Sequence, residues 1–239
     1  GAINDVQMDL KWWDLEKVWR LLESDEPLEV SDDAVSATET CYNFLQEGIK
    51  DTDADPIYGV NTGFGDLAHT RVSDASLHLL QRNILISHAC GVGEDVPEPI
   101  VRAMLLLKIK SLSKGHSGVQ LATVQRLLDH LNLGMLPVVP SQGSLGASGD
   151  LAPLSHLVLP LIGEGEVHVE GAVVRSADLL LAKGWDPIHL GAKEGLALIN
   201  GTQMMLGYGV MALRRLERIS EWADALCAWA LEAWHGGSE

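Results

Sequence analysis

Ser141-Gln142-Gly143-Ser144-Leu145-Gly146-Ala147-Ser148-Gly149-Asp150-Leu151-Ala152-Pro153 is the stretch on which the reading of this chain turns. Gly143, Gly146 and Gly149 recur every third residue, among serines, one carboxylate and almost no bulk. Glycine admits backbone angles that other residues avoid, and it lets a ligand or a second backbone come close. At the centre, Ala147-Ser148-Gly149 is small enough to bend until the Gly149 amide nitrogen reaches the Ala147 carbonyl carbon. Other uses of such a loop compete. The G-x-x-G-x-x-G spacing is neither the dinucleotide fingerprint nor the P-loop, and no Lys-Ser/Thr pair follows it. Ser148 has Gly146 two residues before it but Asp150 two after, so the G-x-S-x-G elbow of hydrolases is incomplete. On glycine content alone, a plain turn before a helix starting near Leu151 stands level with a chemically active loop.

Composition narrows the class. A chain of 239 residues holds one large domain or two small ones, and 46% hydrophobic content supplies a buried core. The 33 acidic and 17 basic residues leave a net charge of −16, which argues against nucleic acid or an anionic membrane as partner. Cys41, Cys90 and Cys227 are odd in number and form no C-x-x-C pair, so neither a disulfide framework nor a zinc knuckle is expected, and a reducing, cytoplasmic setting fits. No metal is expected either, because His69, His116, His156 and His189 show no H-E-x-x-H or similar spacing. The N-terminus lacks a basic-then-apolar leader. The most apolar long stretch, Leu196 to Leu213, contains Asn200, Thr202 and Gln203 and reads poorly as a membrane span.

Hydrophobic periodicity predicts a mainly α fold. Helices are expected over Asp14–Leu22, from Ser31-Asp32-Asp33 to about Ile49, over Asp74–Ala89 after a Ser73 cap, over Ile100–Ser113, over Val119–Leu131 after Ser117, from Pro153 to about Leu161, and over Ser176–Lys183. Residues 2–10 suggest a short strand and Glu166–Arg175 a β-hairpin. Trp12, Trp13 and Trp19 are expected to pack. Lys193–Gln203 reads as a loop entering a long helix over Thr202–Trp234, where Met205, Ala212, Leu216, Ile219, Ala223, Leu226 and Ala230 recur at spacings of three and four after a doubled first step. A helix of that length needs partner helices.

Gly143 to Leu154 resembles the signature of the aromatic amino acid ammonia-lyases. Three further segments resemble the same family in the same order: Tyr58-Gly59-Val60-Asn61-Thr62-Gly63-Phe64-Gly65, Ser87-His88-Ala89, and Lys193-Glu194-Gly195-Leu196-Ala197-Leu198-Ile199-Asn200-Gly201-Thr202-Gln203. The match runs from about Tyr58 to the C-terminus. It implies a fumarase/aspartase-like fold, with an N-terminal loop domain at 1–200 and the first long helix of a central bundle at 201–239. It also implies that Ala147, Ser148 and Gly149 cyclise autocatalytically into 4-methylidene-imidazole-5-one (MIO), with no metal and no nucleotide. In such an elimination the amine is a poor leaving group and the β-hydrogen is barely acidic. The electrophile addresses the first difficulty, and Ser148 must lose its hydroxyl to provide the exocyclic methylene.

By the same resemblance Tyr58 is the base. A phenol ordinarily titrates near 10, and general-base help is worth roughly 10²–10⁴ in rate. Ser87 and His88 face the substrate ring. Phenylalanine- and tyrosine-directed members tend to carry Phe-Leu or His-Leu there, and Ser-His resembles the histidine-directed class, since a histidine can hydrogen-bond an imidazole. Asn200 and Gln203 are the polar residues beside the electrophile. Asn61 and Gly65 shape the base loop, and Gly143 and Gly146 shape the MIO loop. Asp150 either assists proton transfer during cyclisation or caps the following helix. Lys193 and Glu194 match the motif but read equally as a surface pair.

Members of this family are longer, so the chain is expected to be a truncated N-terminal fragment whose loop stays uncyclised. The implied activity is histidine ammonia-lyase, L-histidine to trans-urocanate and ammonia. The alternatives are a phenylalanine or tyrosine lyase or aminomutase, and a catalytically silent assembly module. Exposed apolar surface on the long helix predicts a homo-oligomer, a tetramer in the family.

Overall fold

The computed structural model describes residues 6–50, 55, 57–62, 74–146 and 149–237. Gly65, Ala147 and Ser148 lie outside the described residues. The order begins with β1 (Gln7–Met8), α1 (Leu15–Glu23), β2 (Glu29–Val30), α2 (Asp32–Lys50), α3 (Asp74–His88) and β3 (Val92–Asp95). There follow α4 (Glu98–Leu112), α5 (Leu121–Asn132), β4 (Leu136–Pro137), β5 (Pro140–Gln142) and α6 (Leu151–Val158), which tightens into a 3-10 turn over Leu159–Ile162. The hairpin β6 (Glu166–Val169) and β7 (Ala172–Arg175), then α7 (Ser176–Lys183), α8 (Glu194–Ile199) and α9 (Gln203–Ala233) complete it.

The centre of the molecule is α4. Pro97 precedes it, Pro99 sits in its first turn where a missing N–H costs nothing, and Glu98 faces the positive end of the helix dipole. Val101, Met104, Leu105, Ile109 and Leu112 along it are all but fully buried. Against one side lies α5, whose Val124, Leu127, Leu128 and Leu131 form its buried face. Against the other lies the first third of α9, where Gly207 permits close approach: a β-carbon there would stand 3.3 Å from the Ile100 carbonyl oxygen. Beyond Val210 the remainder of α9 contributes no buried residue.

Expectation and structure differ in physically instructive places. Residues 2–10 yield only Gln7–Met8 as strand, paired parallel with Glu29–Val30. The hairpin forms, with Val167 opposite Val174, and gains β4 as a third strand. A second antiparallel ladder, β3 with β5, has no alternating pattern to announce it, because all of β3 is exposed. The helix expected after Ser117 starts at Leu121, and Gln120 precedes it without a side-chain cap. Lys193–Gln203 is not all loop; it contains α8. Trp19 packs, donating Nε1–H to the Val210 carbonyl at 3.0 Å. Trp12 does not: it is 87% exposed. By length and composition alone, one window within Glu194–Ala233 is apolar enough to cross a membrane, yet its beginning is packed on α4.

Two tests address this packing. Gly195 on α8 sits against α3, where a β-carbon would fall 2.5 Å from Ile84 Cγ2 and 2.7 Å from the Gln81 carbonyl oxygen. Gly195→Ala should lower stability by about 1–3 kcal/mol through overpacking. Gly209→Ala on α9, with nothing within 4 Å, should raise it by about 0.5–1 kcal/mol through helix propensity. Denaturant midpoints read both.

A third test concerns Lys108, which is 1% exposed on the apolar α4. Burial pushes its ammonium down from 10.5 to about 7. Between those values the unfolded chain holds a proton that the folded chain has released, so stability should rise with pH across that window. The urea midpoint should climb between pH 7 and 9, and Lys108→Met should flatten most of the climb.

Candidate active site

Three segments separated in sequence meet around the glycine loop. The first is the C-terminal end of α3, carrying Ser87 and His88. The second is the loop itself, from Gly143 to Asp150. The third is the junction of α8 and α9, from Asn200 to Met205.

The loop adopts the conformations its glycines make available. Gly143, Gly146 and Gly149 have φ of 145°, 69° and 95°. At Gly149 the requirement is doubled: a β-carbon there would fall 2.9 Å from the Gly201 carbonyl oxygen. The Gly149 amide donates to the Gly146 carbonyl at 2.9 Å, and the Asp150 amide to the Gly201 carbonyl at 2.8 Å. Gly143 touches the other neighbour, since a β-carbon on it would stand 3.2 Å from the Gly91 Cα. Gly91 in turn donates its amide to His156 Nε2 on α6 at 3.0 Å. Burial pushes the His156 imidazole below its ordinary 6.5, which favours the neutral ring that this acceptor role needs.

Asp150 is wholly buried. It does not cap its own helix α6 through its side chain. Its two oxygens instead accept from Ser144 Oγ at 2.6 Å and from the backbone amide of Met205 at 3.0 Å. The first amides of a helix have no partner within it, and they attract negative charge. Thr202 precedes α9 without a side-chain cap bond, so Asp150 supplies one from fifty-five residues away. The cap reading of Asp150 is thus corrected: the helix it serves is α9.

His88 is half-buried, and its Nδ1 pairs with the Ile84 carbonyl at 2.8 Å. A carbonyl only accepts, so Nδ1 carries the proton and the neutral ring keeps Nε2 as an acceptor. Ser87 is exposed; its hydroxyl donates to the same carbonyl at 3.2 Å and lies 3.2 Å from His88 Nδ1. Asn200 is exposed, while Gln203 is buried with Oε1 unpartnered among the described residues.

Tyr58 occupies a turn, and it is 54% exposed. The turn is closed by Asn61, whose side-chain oxygen accepts the Ile57 amide at 2.7 Å, and by Thr62, whose hydroxyl accepts the Gly59 amide at 3.3 Å. Val60 packs with Leu77 of α3 and Ala192 just before α8. The Tyr58 segment therefore joins the others through α3 and the start of α8.

Supports around these segments were either unmarked in the sequence, as Lys108 was, or marked by motif but open to a surface reading, as Glu194 was. Glu194 is not a surface residue: it is wholly buried, and accepts from the Gln120 amide at 2.8 Å, Thr123 Oγ1 at 2.8 Å and the Gly191 amide at 2.6 Å. Lys193 turns elsewhere, to the Ser117 carbonyl at 2.8 Å. Lys108 donates to the Ala197 and Asn200 carbonyls at 2.8 and 3.1 Å. One signal could have found it, a cation set directly after the apolar run Ala103–Leu107.

The residues flanking the tripeptide fit an MIO ring. Gly149 has no room for a side chain, Asp150 fixes the backbone on its C-terminal side, and an unpartnered amide oxygen on Gln203 lies beside Gly201. Among the described residues no group of three or more histidines, cysteines and carboxylates gathers as metal ligands.

Comparison with known proteins agrees. The model of the family described as aromatic amino acid lyase matches residues 13–239. A histidine ammonia-lyase from Geobacillus sp. strain WCH70 is 46% identical over 222 residues, covering 93% of this chain and 43% of that protein. The crystal structure of histidine ammonia-lyase from Trypanosoma cruzi superposes with a TM-score of 0.87 at 36% identity, covering 97% of this chain and 45% of that one. Tyrosine aminomutase from Streptomyces globisporus gives 0.87 at 37%, covering 95% and 42%. This chain spans less than half the length of each of these relatives. With its four motifs in order and its loop held between α3 and α9, the chain belongs to the aromatic amino acid lyase family.

Proposed function

We propose that these residues form the electrophile-bearing part of an ammonia-lyase centre acting on L-histidine, giving trans-urocanate and ammonia. The observation that carries the substrate assignment is the 2.8 Å contact between His88 Nδ1 and the Ile84 carbonyl. With Nδ1–H committed to the Ile84 carbonyl, Nε2 is left to accept the N–H of a substrate imidazole. A phenyl or phenol ring has no ring N–H to offer. The name of the Geobacillus relative points the same way.

In this reading the ring formed from Ala147, Ser148 and Gly149 supplies an electrophilic methylene that draws electrons from the substrate. Tyr58 takes the β-proton, on a turn whose shape Asn61 holds. Asn200 and Gln203 offer amide groups to the amine and carboxylate. Gly65 completes the base loop, and Asp150 holds the Gly149 backbone in place. Cys41, Cys90 and Cys227 are unpaired, as a reducing cytoplasmic setting requires.

If the loop of this chain cyclises, against the expectation that a truncated fragment stays uncyclised, intact mass should show the loss of two waters within the peptide containing 147–149, and adding L-histidine should raise urocanate absorbance. Ser148→Ala should abolish both. Tyr58→Phe should keep the dehydration and slow turnover by roughly 10²–10⁴-fold. His88→Leu should weaken histidine turnover by about 10–100-fold, the cost of one unmade hydrogen bond at a desolvated site. Cinnamate or coumarate from phenylalanine or tyrosine, in place of urocanate, would overturn the substrate assignment. A full-mass chain with no turnover would favour the silent assembly module.

We further infer that residues 201–239 are the first helix of a bundle and that the chain self-associates through it. Leu216, Ile219, Trp222, Leu226 and Trp229 recur at spacings of three and four, each between 55% and 63% exposed. Such an apolar stripe seeks cover. Sedimentation should give a mass above that of one chain, and replacing Ile219 and Leu226 with Glu should return it to monomer.

A further inference from the structure

Lys108 is the largest fully buried side chain among the described residues, preceded on its helix by the apolar run Ala103–Leu107. Among the described residues its ammonium contacts no carboxylate; its recorded partners are the carbonyls of Ala197 and Asn200. Burying a cation without a counter-ion is costly, and an apolar residue of similar length would fill the space more cheaply. Its placement is therefore better explained by what it holds than by packing. Ala197 lies in α8 and Asn200 is its C-terminal cap residue, where carbonyls lack partners within the helix and the dipole favours positive charge. One residue further on, Gly201 gives its carbonyl to the Asp150 amide and closes against Gly149. Asp150 then reaches the Met205 amide. Two hydrogen bonds from α4, the Asn200–Gly201 peptide bond and the Gly201–Asp150 hydrogen bond thus connect Lys108 with Gly149 and Asp150.

We propose that Lys108 is a positioning residue: by pinning the Ala197 and Asn200 carbonyls it sets the place of the Asn200 side chain and, through Gly201, of Gly149 and Asp150. Its consequence for cyclisation rests on the ammonia-lyase reading; its hold on the backbone does not.

Amide hydrogen exchange of the whole chain, read by NMR on the parent, Lys108→Met, Lys108→Gln and Lys108→Arg, tests the hold. In Lys108→Met the amides of Gly149, Asp150 and Met205 should exchange at least about tenfold faster while those of α5 keep their protection, a site-confined opening rather than global unfolding. Lys108→Gln, with donors on a shorter stem, should show the same pattern at smaller size, and it decides the matter if the Met variant does not fold. Lys108→Arg, which keeps donors at full reach, should restore protection. Parent-like exchange at all three amides in the Met and Gln variants would overturn the proposal, as would an equal rise through α4 and α5. Intact mass separates the two readings. A parent chain that never loses two waters sinks the reaction assigned above, while exchange still decides the role of Lys108. A parent that does lose them should dehydrate more slowly as Lys108→Met.

Discussion

The carboxylate of Asp150 is the constraint on which the rest of the site depends. It is a fully buried anion with each oxygen engaged, one by Ser144 within the loop and one by the Met205 amide at the start of α9. A buried carboxylate is tolerable only where donors replace water, and here one donor is the positive end of a long helix. The loop cannot move away from α9 without stranding that charge. A loop of small residues has little packing of its own to hold it, so the restraint comes from this tie and from the Gly149–Gly201 contact.

Other polar residues solve comparable problems nearby. Glu194 gathers donors from Gln120, Thr123 and Gly191 and fastens α8 to the start of α5. His156 receives the Gly91 amide and fixes the end of α3 beside the loop. Each connects segments that hydrophobic packing alone would leave free to slide. The apolar core sets where helices lie; these buried polar side chains set the register between the motifs.

That division explains what could be read in advance. The helices at Leu15–Glu23 and Gln203–Ala233 and the Glu166–Arg175 hairpin followed from periodicity, and Glu98–Leu112 from a continuous apolar run after two prolines. The β3–β5 ladder did not, since exposed strands of three or four residues bury no stripe. The six-residue α8 is too short for a period and was hidden inside a motif. The motifs marked which residues to watch. That Asp150 serves α9 rather than α6, that Glu194 lies inside, and that Lys108 grips the α8 end are pairings across 55, 71 to 74 and 89 to 92 positions, and no local pattern encodes them.

Met205 occupies an informative position. Its amide binds Asp150, and its sulfur lies 3.8 Å from where a Gly146 β-carbon would stand. The terminal methyl of this residue therefore senses the geometry of the glycine loop directly while belonging to α9. An isotopically labelled methionine methyl at this position would act as a built-in spectator, registering any chemical change in the neighbouring tripeptide without a foreign probe.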